Sequence, residues 1–299
     1  MKLIFLLLFI LGTIVGHAQS GYEFSTSKKT IAGHSEKAFV LTLYRAHMDE
    51  VQKAWKKHFK SIHKTKPEVN DNTVIFRDVV SEKFSSDTLD FYALIENKEL
   101  DIVLNLQIQN GNTWVDPDET EGLSNAVRKN LIVFATDVHE MVLIRELDEE
   151  ESKLKEQNKE LEEYRKEIEK SKKQIHSDSL DIISSQEEIE MLETGMADLK
   201  QQYVDQDVKV KTGGFASTDE EKVEKKRLKE LRSAVDKQRK SIEKESTSIQ
   251  ANEADIRTME LKITENEARI EDVQKRIVEQ EGTVQRAKMN LENHRTLAK

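Results

Sequence analysis

The fold class this sequence predicts is a small α+β head followed by a long antiparallel α-helical coiled-coil hairpin, and three observations predict it. First, Leu147, Leu154, Leu161, Ile168, Ile175, Ile182, Ile189, Met196 and Tyr203 stand seven residues apart without a break. A second ladder runs from Leu228 through Val235, Ile242, Ile249, Ile256, Ile263, Ile270, Ile277 and Val284 to Leu291. An unbroken seven-residue apolar repeat keeps one stripe of a helix facing a partner only if the helices supercoil. Second, residues 37–110 hold short runs of alternating apolar and polar side chains, the period of strands. Third, the chain has 2 prolines, Pro67 and Pro117, so nothing beyond Pro117 forces a helix to stop.

Composition agrees. The 299 residues are 35% charged and 6% aromatic, with a mean hydropathy of -0.68, too little apolar material for two globular cores. Much of the length must be thin, and a pair of helices that bury one stripe each is the thinnest folded solution. Residues 19–115 carry 13 basic and 13 acidic side chains, so the formal net charge of -10 comes from the rest of the chain. An acidic stalk argues against generic binding of nucleic acid or anionic membrane, which select for Lys and Arg. With Cys 0, disulfides, thiolate metal sites, cysteine nucleophiles and a lipid-modified N-terminal cysteine are all excluded.

Met1 to Ala18 reads as a secretory signal peptide. Lys2 gives the positive start, Leu3–Ile10 the apolar run, and Gly16-His17-Ala18 the small-x-small cleavage pattern before Gln19. The apolar run ends at Val15, short of the ~20 residues that cross a bilayer, so no transmembrane segment is expected after cleavage. Export without cysteine suits a bacterial envelope, either the periplasm or an extracellular face.

Residues 19–36 read as a polar arm or a short edge strand. The head, 37–146, is then β-α-β-β-β-α. Phe39, Leu41 and Leu43 mark its first strand, and Met48, Val51, Trp55, Phe59 and Ile62 one stripe of an amphipathic helix. Val74, Phe76 and Val80 share one side of the second strand, Leu89, Phe91, Ala93 and Ile95 one side of the third. In the fourth, Leu100, Ile102, Leu104, Leu106 and Ile108 alternate with polar neighbours, and Asn97-Lys98-Glu99 joins the last two strands as a hairpin. Asp116-Pro117-Asp118-Glu119 has the form of a capping box with proline at the first helical position, so a helix should start there. Leu123, Val127, Leu131, Phe134, Val138 and Met141 continue it. The result is a four-stranded, largely antiparallel sheet with both helices on one face.

At Leu147 the period changes to seven with no breaker, so one helix should run from Asp116 to about Val204, leaving the head to become the first stalk arm, 147–208. A turn at 209–217 contains Gly213-Gly214, and Ser217 with Glu220 or Thr218 with Glu221 offers a capping box for the second arm, 218–299. A turn centred near Thr212 would set Met196 beside Leu228 and Val133 beside Leu291. Each arm beyond the head would extend ~90 Å. The other seam position is polar at Glu150, Gln157, Ser171, Asp178 and Ser185 in one arm and at Gln238, Glu245, Asn252 and Asn266 in the other. Such positions lower stability and favour a defined register or oligomer.

Chemistry-bearing motifs stop short. His139-Glu140 begins an H-E-x-x-H pattern, but Leu143 stands where the second histidine must be. Asn110-Gly111-Asn112 with Asp116 and Asp118 lacks the ligand alternation and closing glutamate of a calcium loop. The residues name no catalytic group, no cofactor and no metal ligand. Two surfaces remain. Lys53, Lys57, Lys60 and Lys64 line one side of the first helix, either as its solvated back or as a face for an anionic partner. Val208, Val210 and Phe215 flank the Gly213-Gly214 turn, where a connector is normally short and polar. They are either a local cap or a docking tip.

Trp55-Lys56-Lys57-His58-Phe59-Lys60 and Asp87-Thr88-Leu89-Asp90-Phe91-Tyr92-Ala93, followed by a long charged coiled coil, resemble a group of uncharacterised exported bacterial proteins with a small α+β head and a coiled-coil tail. The resemblance implies the architecture and carries no activity. In outline the hairpin is also similar to those of periplasmic adaptor proteins and septal hydrolase activators. The functional expectation is an exported non-enzymatic scaffold or adaptor that binds protein partners through the stalk tip or the head. A homo-oligomer, a periplasmic holdase chaperone and an enzyme with a site on the head sheet stay open as alternatives.

Overall fold

The computed structural model describes residues 21–62 and 66–298. The expected leader, Met1–Ala18, lies outside them, as do His63 and Lys64. The elements are β1 (Tyr22–Ile31), β2 (His34–Leu43), α1 (Met48–Ile62), β3 (Glu68–Asn70), β4 (Thr73–Ser81), β5 (Ser85–Lys98), β6 (Asp101–Asn110), β7 (Thr113–Trp114), α2 (Gly122–Thr212) and α3 (Thr218–Leu297). The described residues fall into two compact units, one up to Ser152 together with those from Gly282 on, and one of Lys153–Glu281.

In the first unit every strand pairing is antiparallel, in the order β1-β2-β6-β5-β4-β3, with β7 pairing the end of β6. The sheet has seven strands, not four, and the reason lies in its edges. β1 pairs with β2 over all ten residues, yet most of its side chains are exposed, so it carries no apolar alternation to read. Backbone pairing holds it, through a tight Ala32-Gly33 turn in which both residues have positive φ, 49° and 87°. β3 and β7 are too short to show a period.

Alternation elsewhere places side chains as the pattern requires, with two shifts. Asp78 has φ 53° at a register break in β4, a bulge that reverses the parity of the residues after it. Val79 is therefore buried and Val80 exposed, the opposite of the expectation. Leu100 is exposed in the two-residue turn between β5 and β6, where Lys98 pairs Asp101 and Glu99 takes φ 59°.

One face of the sheet carries Phe39, Leu41, Phe76, Phe91, Leu104 and Leu106 into a core closed by Val51, Trp55 and Phe59 of α1 and by Val127, Leu131, Phe134 and Val138 of α2. Phe59 stacks on Phe76 at 4.6 Å, and Trp55 meets Phe134 edge-on at 5.0 Å. Both helices thus lie on one face, as expected. The second face is covered differently. β2 pairs β6 through Phe39–Leu43 alone, and the far end of the β1–β2 hairpin crosses the sheet. There Gln107 Nε2 donates to the carbonyls of Lys29 (2.7 Å) and Glu36 (2.9 Å), and the His34 ring lies between those of Tyr92 and Trp114.

The capping box at Asp116 does not form. Asp116 closes a turn instead, its Oδ1 accepting from the Asp118 N–H and its carbonyl from Glu119. Both carboxylates take the Lys37 ammonium, at 3.0 and 2.7 Å, and Asp118 also accepts from Thr26. These tertiary partners hold the aspartates away from a helix terminus, and α2 starts six residues later at Gly122. From there it is unbroken to Thr212, past the expected end at Val204.

In the second unit α2 and α3 meet through Glu160–Arg276, Glu167–Asn266, Ser185–Glu245 and Gln206–Glu224, with numbers falling on one helix as they rise on the other. Burial recurs at alternating spacings of three and four along both helices. Leu161, Val273 and Ile277 form a buried apolar cluster, with Leu154, Tyr164 and Ile270 packed against it. The partners lie about one heptad further along α3 than expected: Ser185 meets Glu245, and Gly195 is beside Gln238, where the expected register set the neighbouring Met196 beside Leu228. A seven-residue slip leaves apolar layers facing apolar layers, so periodicity alone does not choose between the two registers.

Candidate docking surfaces

The first unit holds a cleft of about 420 Å³ between α1 and α2. Its floor is Ala54, Phe134, Met141 and Ile144, and Lys57, His58 and Asp137 stand around it. Helical spacing explains the construction. Val51, Trp55 and Phe59 of α1 face the sheet, which turns Ala54, Lys57 and Ser61 toward the flank that borders α2. His58 is fixed by a 2.8 Å bond from its Nε2 to Asn130 Oδ1 and by its ring contact with Phe134. Met141 and Ile144, on the α2 side, stay partly exposed.

Lys53, Lys57 and Lys60 are all exposed on α1, as its amphipathic pattern requires. Lys53 approaches Asp49 at 3.6 Å, a surface pair of little energy. The structure brings Lys57 to an apolar cleft, which the sequence did not reveal, because α1 and α2 are 60 residues or more apart and their flanks meet only through tertiary packing. Lys64 lies outside the described residues.

A second surface is at the connector of the second unit, residues 213–217. Gly213 and Gly214 have φ 70° and 87°, ending α2 in the left-handed conformation that glycine adopts without strain. Ser217 Oγ accepts from the Glu220 N–H and the Glu220 carboxylate from the Ala216 N–H, so of the two capping boxes considered it is Ser217 with Glu220 that starts α3. Gln206 and Lys209 both reach Glu224, at 2.7 and 2.6 Å, closing the helices just below the turn. Paired with Lys209 first and Gln206 next, the Glu224 carboxyl is held below its ordinary range. Around this polar clasp Val208 is 54% exposed and Val223 64%, Val204 is also exposed, and Val210 and Phe215 are half-buried. Of the three tip residues singled out from sequence, Val208 lies on the exposed side of α2, Val210 one turn after buried Gln206 on the side that meets α3, and Phe215 in the connector. Val204, one turn before Val208 on the same side, and Val223 of α3 are further exposed apolar side chains near this end, which sequence reasoning missed.

Among the described residues no group of three or more His, Asp or Glu side chains could hold a metal ion, and no helix is long and apolar enough to cross a membrane. No protein-family model matches the chain, and neither does any curated protein.

Proposed function

We propose that the protein is an exported, non-enzymatic scaffold or adaptor of the bacterial envelope, in which α2 and α3 form an antiparallel coiled-coil hairpin. The hairpin is a spacer, and its tip docks a protein partner. What carries this reading is the tip itself. A connector that needs only to reverse the chain is normally short and polar, yet in this one the half-buried Phe215 stands beside a pair of glycines, and Val204, Val208 and Val223 are exposed on the ends of the helices that it joins. The clasp of Gln206 and Lys209 on Glu224 already closes the hairpin, so the valines are not needed for that.

The three-four burial spacing and the descending residue pairs support the coiled coil. The leader-like segment Met1–Ala18 supports export. An enzyme on the head sheet would need a concave, polar-lined site on that sheet, but both faces are covered, one by α1 and α2 and one by the β1–β2 hairpin.

The test is crosslinking in the native envelope. A photoreactive residue replacing Val208 is expected to capture one discrete partner, whereas the same residue replacing exposed Lys237 on the side of α3 captures none. Phe215→Ser with Val210→Ser should abolish the capture while helix content and melting stay nearly unchanged. Capture that survives the double change, or equal capture from both positions, would sink the tip reading.

A further inference from the structure

We propose that the α1–α2 cleft receives the outer face of α2, residues 180–191, from a second copy of this chain. The first observation is the cleft itself: an apolar floor with Met141 and Ile144 partly open to water, bordered on α1 by exposed Lys57, beyond which Lys53 and Lys60 are exposed on the outer side of the same helix. Among the described residues Lys57 and Lys60 have no carboxylate within ion-pair distance. On the α2 side Glu140 is held by Arg295 at 2.7 Å, which leaves Asp137 as the one carboxylate of the lining without a described ion pair. On its α1 side the cleft fits an apolar ridge with a negative flank.

The second observation is that α2 itself supplies such a ridge. Residues 174–199 contain seven acidic side chains and no lysine or arginine. Within them Leu180, Ile183 and Met191 are 53%, 51% and 69% exposed, while Ile182, Ser185, Ile189 and Leu192 turn inward. Leu180, Ile183, Glu187, Glu190 and Met191 share one outer face about 100° wide, opposite the packed seam. Scattered exposed apolar residues are ordinary, but three on one face within an acid-only stretch are the anchors of helix-in-groove recognition. Glu187 and Glu190 have no ion-pair partner among the described residues and are exposed on the ridge, available to lysines of a second copy's α1. Apolar floor to apolar ridge and ammonium to carboxylate, the two surfaces are complementary in both respects, and the matched charges set specificity.

The contact uses two different patches, so it is heterologous, and association continues by head-to-stalk addition unless a ring closes. The experiment is sedimentation of the chain from Gln19 to Lys299 from about 1 to 100 μM, the range that reports a weak specific contact. Wild type is expected to rise above monomer mass with concentration and to fall back in high salt. Lys57→Glu with Lys60→Glu, and separately Glu187→Lys with Glu190→Lys, should each weaken association at least about tenfold. An equimolar mixture of the two variants should associate, because each retains the patch that the other has lost, and a single chain with all four reversals should self-associate again. Leu180→Ser with Ile183→Ser should weaken association without changing its salt dependence. All of the substituted side chains are exposed, and circular dichroism checks that helix content is unchanged. A monomer at every concentration, reversals that associate like wild type, or a mixture that stays monomeric would each overturn the proposal.

Discussion

Gly21 and His139 show how single side chains are constrained. A Cβ on Gly21 would lie 1.9 Å from His139 Nδ1, so the absence of a side chain there is a packing requirement and not a turn requirement. Gly21→Ala should cost about 1 to 3 kcal/mol, as overpacking does. Its melting temperature should recover in part when His139→Ala is added, and a double variant no better than the single one would refute the coupling. His139 also has a protonation signature. Burial, then the nearby His294 and Arg45, push its imidazole down from 6.5 to about 4. The His294 ring meets it edge-on at 4.8 Å, and His139 Nδ1 has no hydrogen-bond partner among the described residues. The unfolded chain takes up a proton at this position below about pH 6.5, whereas the folded chain resists until about 4. Its contribution to stability is thus full above pH 6.5 and is lost as the pH falls through that window. Asp116 and Asp118 act lower: the Asp118 N–H on the first, and Lys37 on the second, hold these carboxyls below 3.8, so their contribution fades only in stronger acid. Urea midpoints measured between pH 7.5 and 4.5 should decline more gently in His139→Gln than in wild type. Parallel curves would remove His139 as the cause.

At the scale of the element, the paired helices combine a repeat that specifies pairing with polar residues that specify where pairing occurs. Ser171, Asp178, Ser185 and Asn266 are buried at inward positions. Asn266 is satisfied by Glu167 and Ser185 by Glu245, both across the pair. Asp178 is less well placed, with Oδ1 accepting from Gln174 and Oδ2 unpaired among the described residues. Asp178→Leu should therefore stabilise the chain by about 1 to 3 kcal/mol while weakening the preference for one register. Spin labels at Lys170 and Lys262 would report the second effect, because a one-heptad slip moves them by ~10 Å along the helices. A broadened distance distribution is expected in the variant. A distribution as narrow as that of wild type would show that the connector alone sets the register.

For the whole molecule, the two proposed contacts separate cleanly. Loss of tip capture in the Phe215/Val210 variant should leave self-association unchanged, and charge reversal at Lys57 and Lys60 should leave tip capture unchanged, since the patches share no residue. Partner crosslinking and sedimentation on the same set of proteins test this. If either variant abolished both readouts, a common surface would have to replace the two.

Periodic features were legible without coordinates because each is enforced locally. Strand alternation in β2, β5 and β6, the stripe of α1, the unbroken α2 and the polar seam all follow from one residue facing the same way as its neighbours two, three or seven positions on. Val208, Val210 and Phe215 stood out differently, as apolar residues in or beside a connector that is usually polar. Tertiary structure decided what periodicity leaves degenerate. It made an edge strand of a polar arm, reversed Val79 and Val80 through a bulge, and drew Asp116 and Asp118 to Lys37 instead of to a helix start. It also chose the helix register a heptad away and assembled the α1–α2 cleft. These outcomes depend on pairing between residues far apart in the chain, where several partners satisfy the same local pattern and only the sum of packing and buried polar contacts selects one.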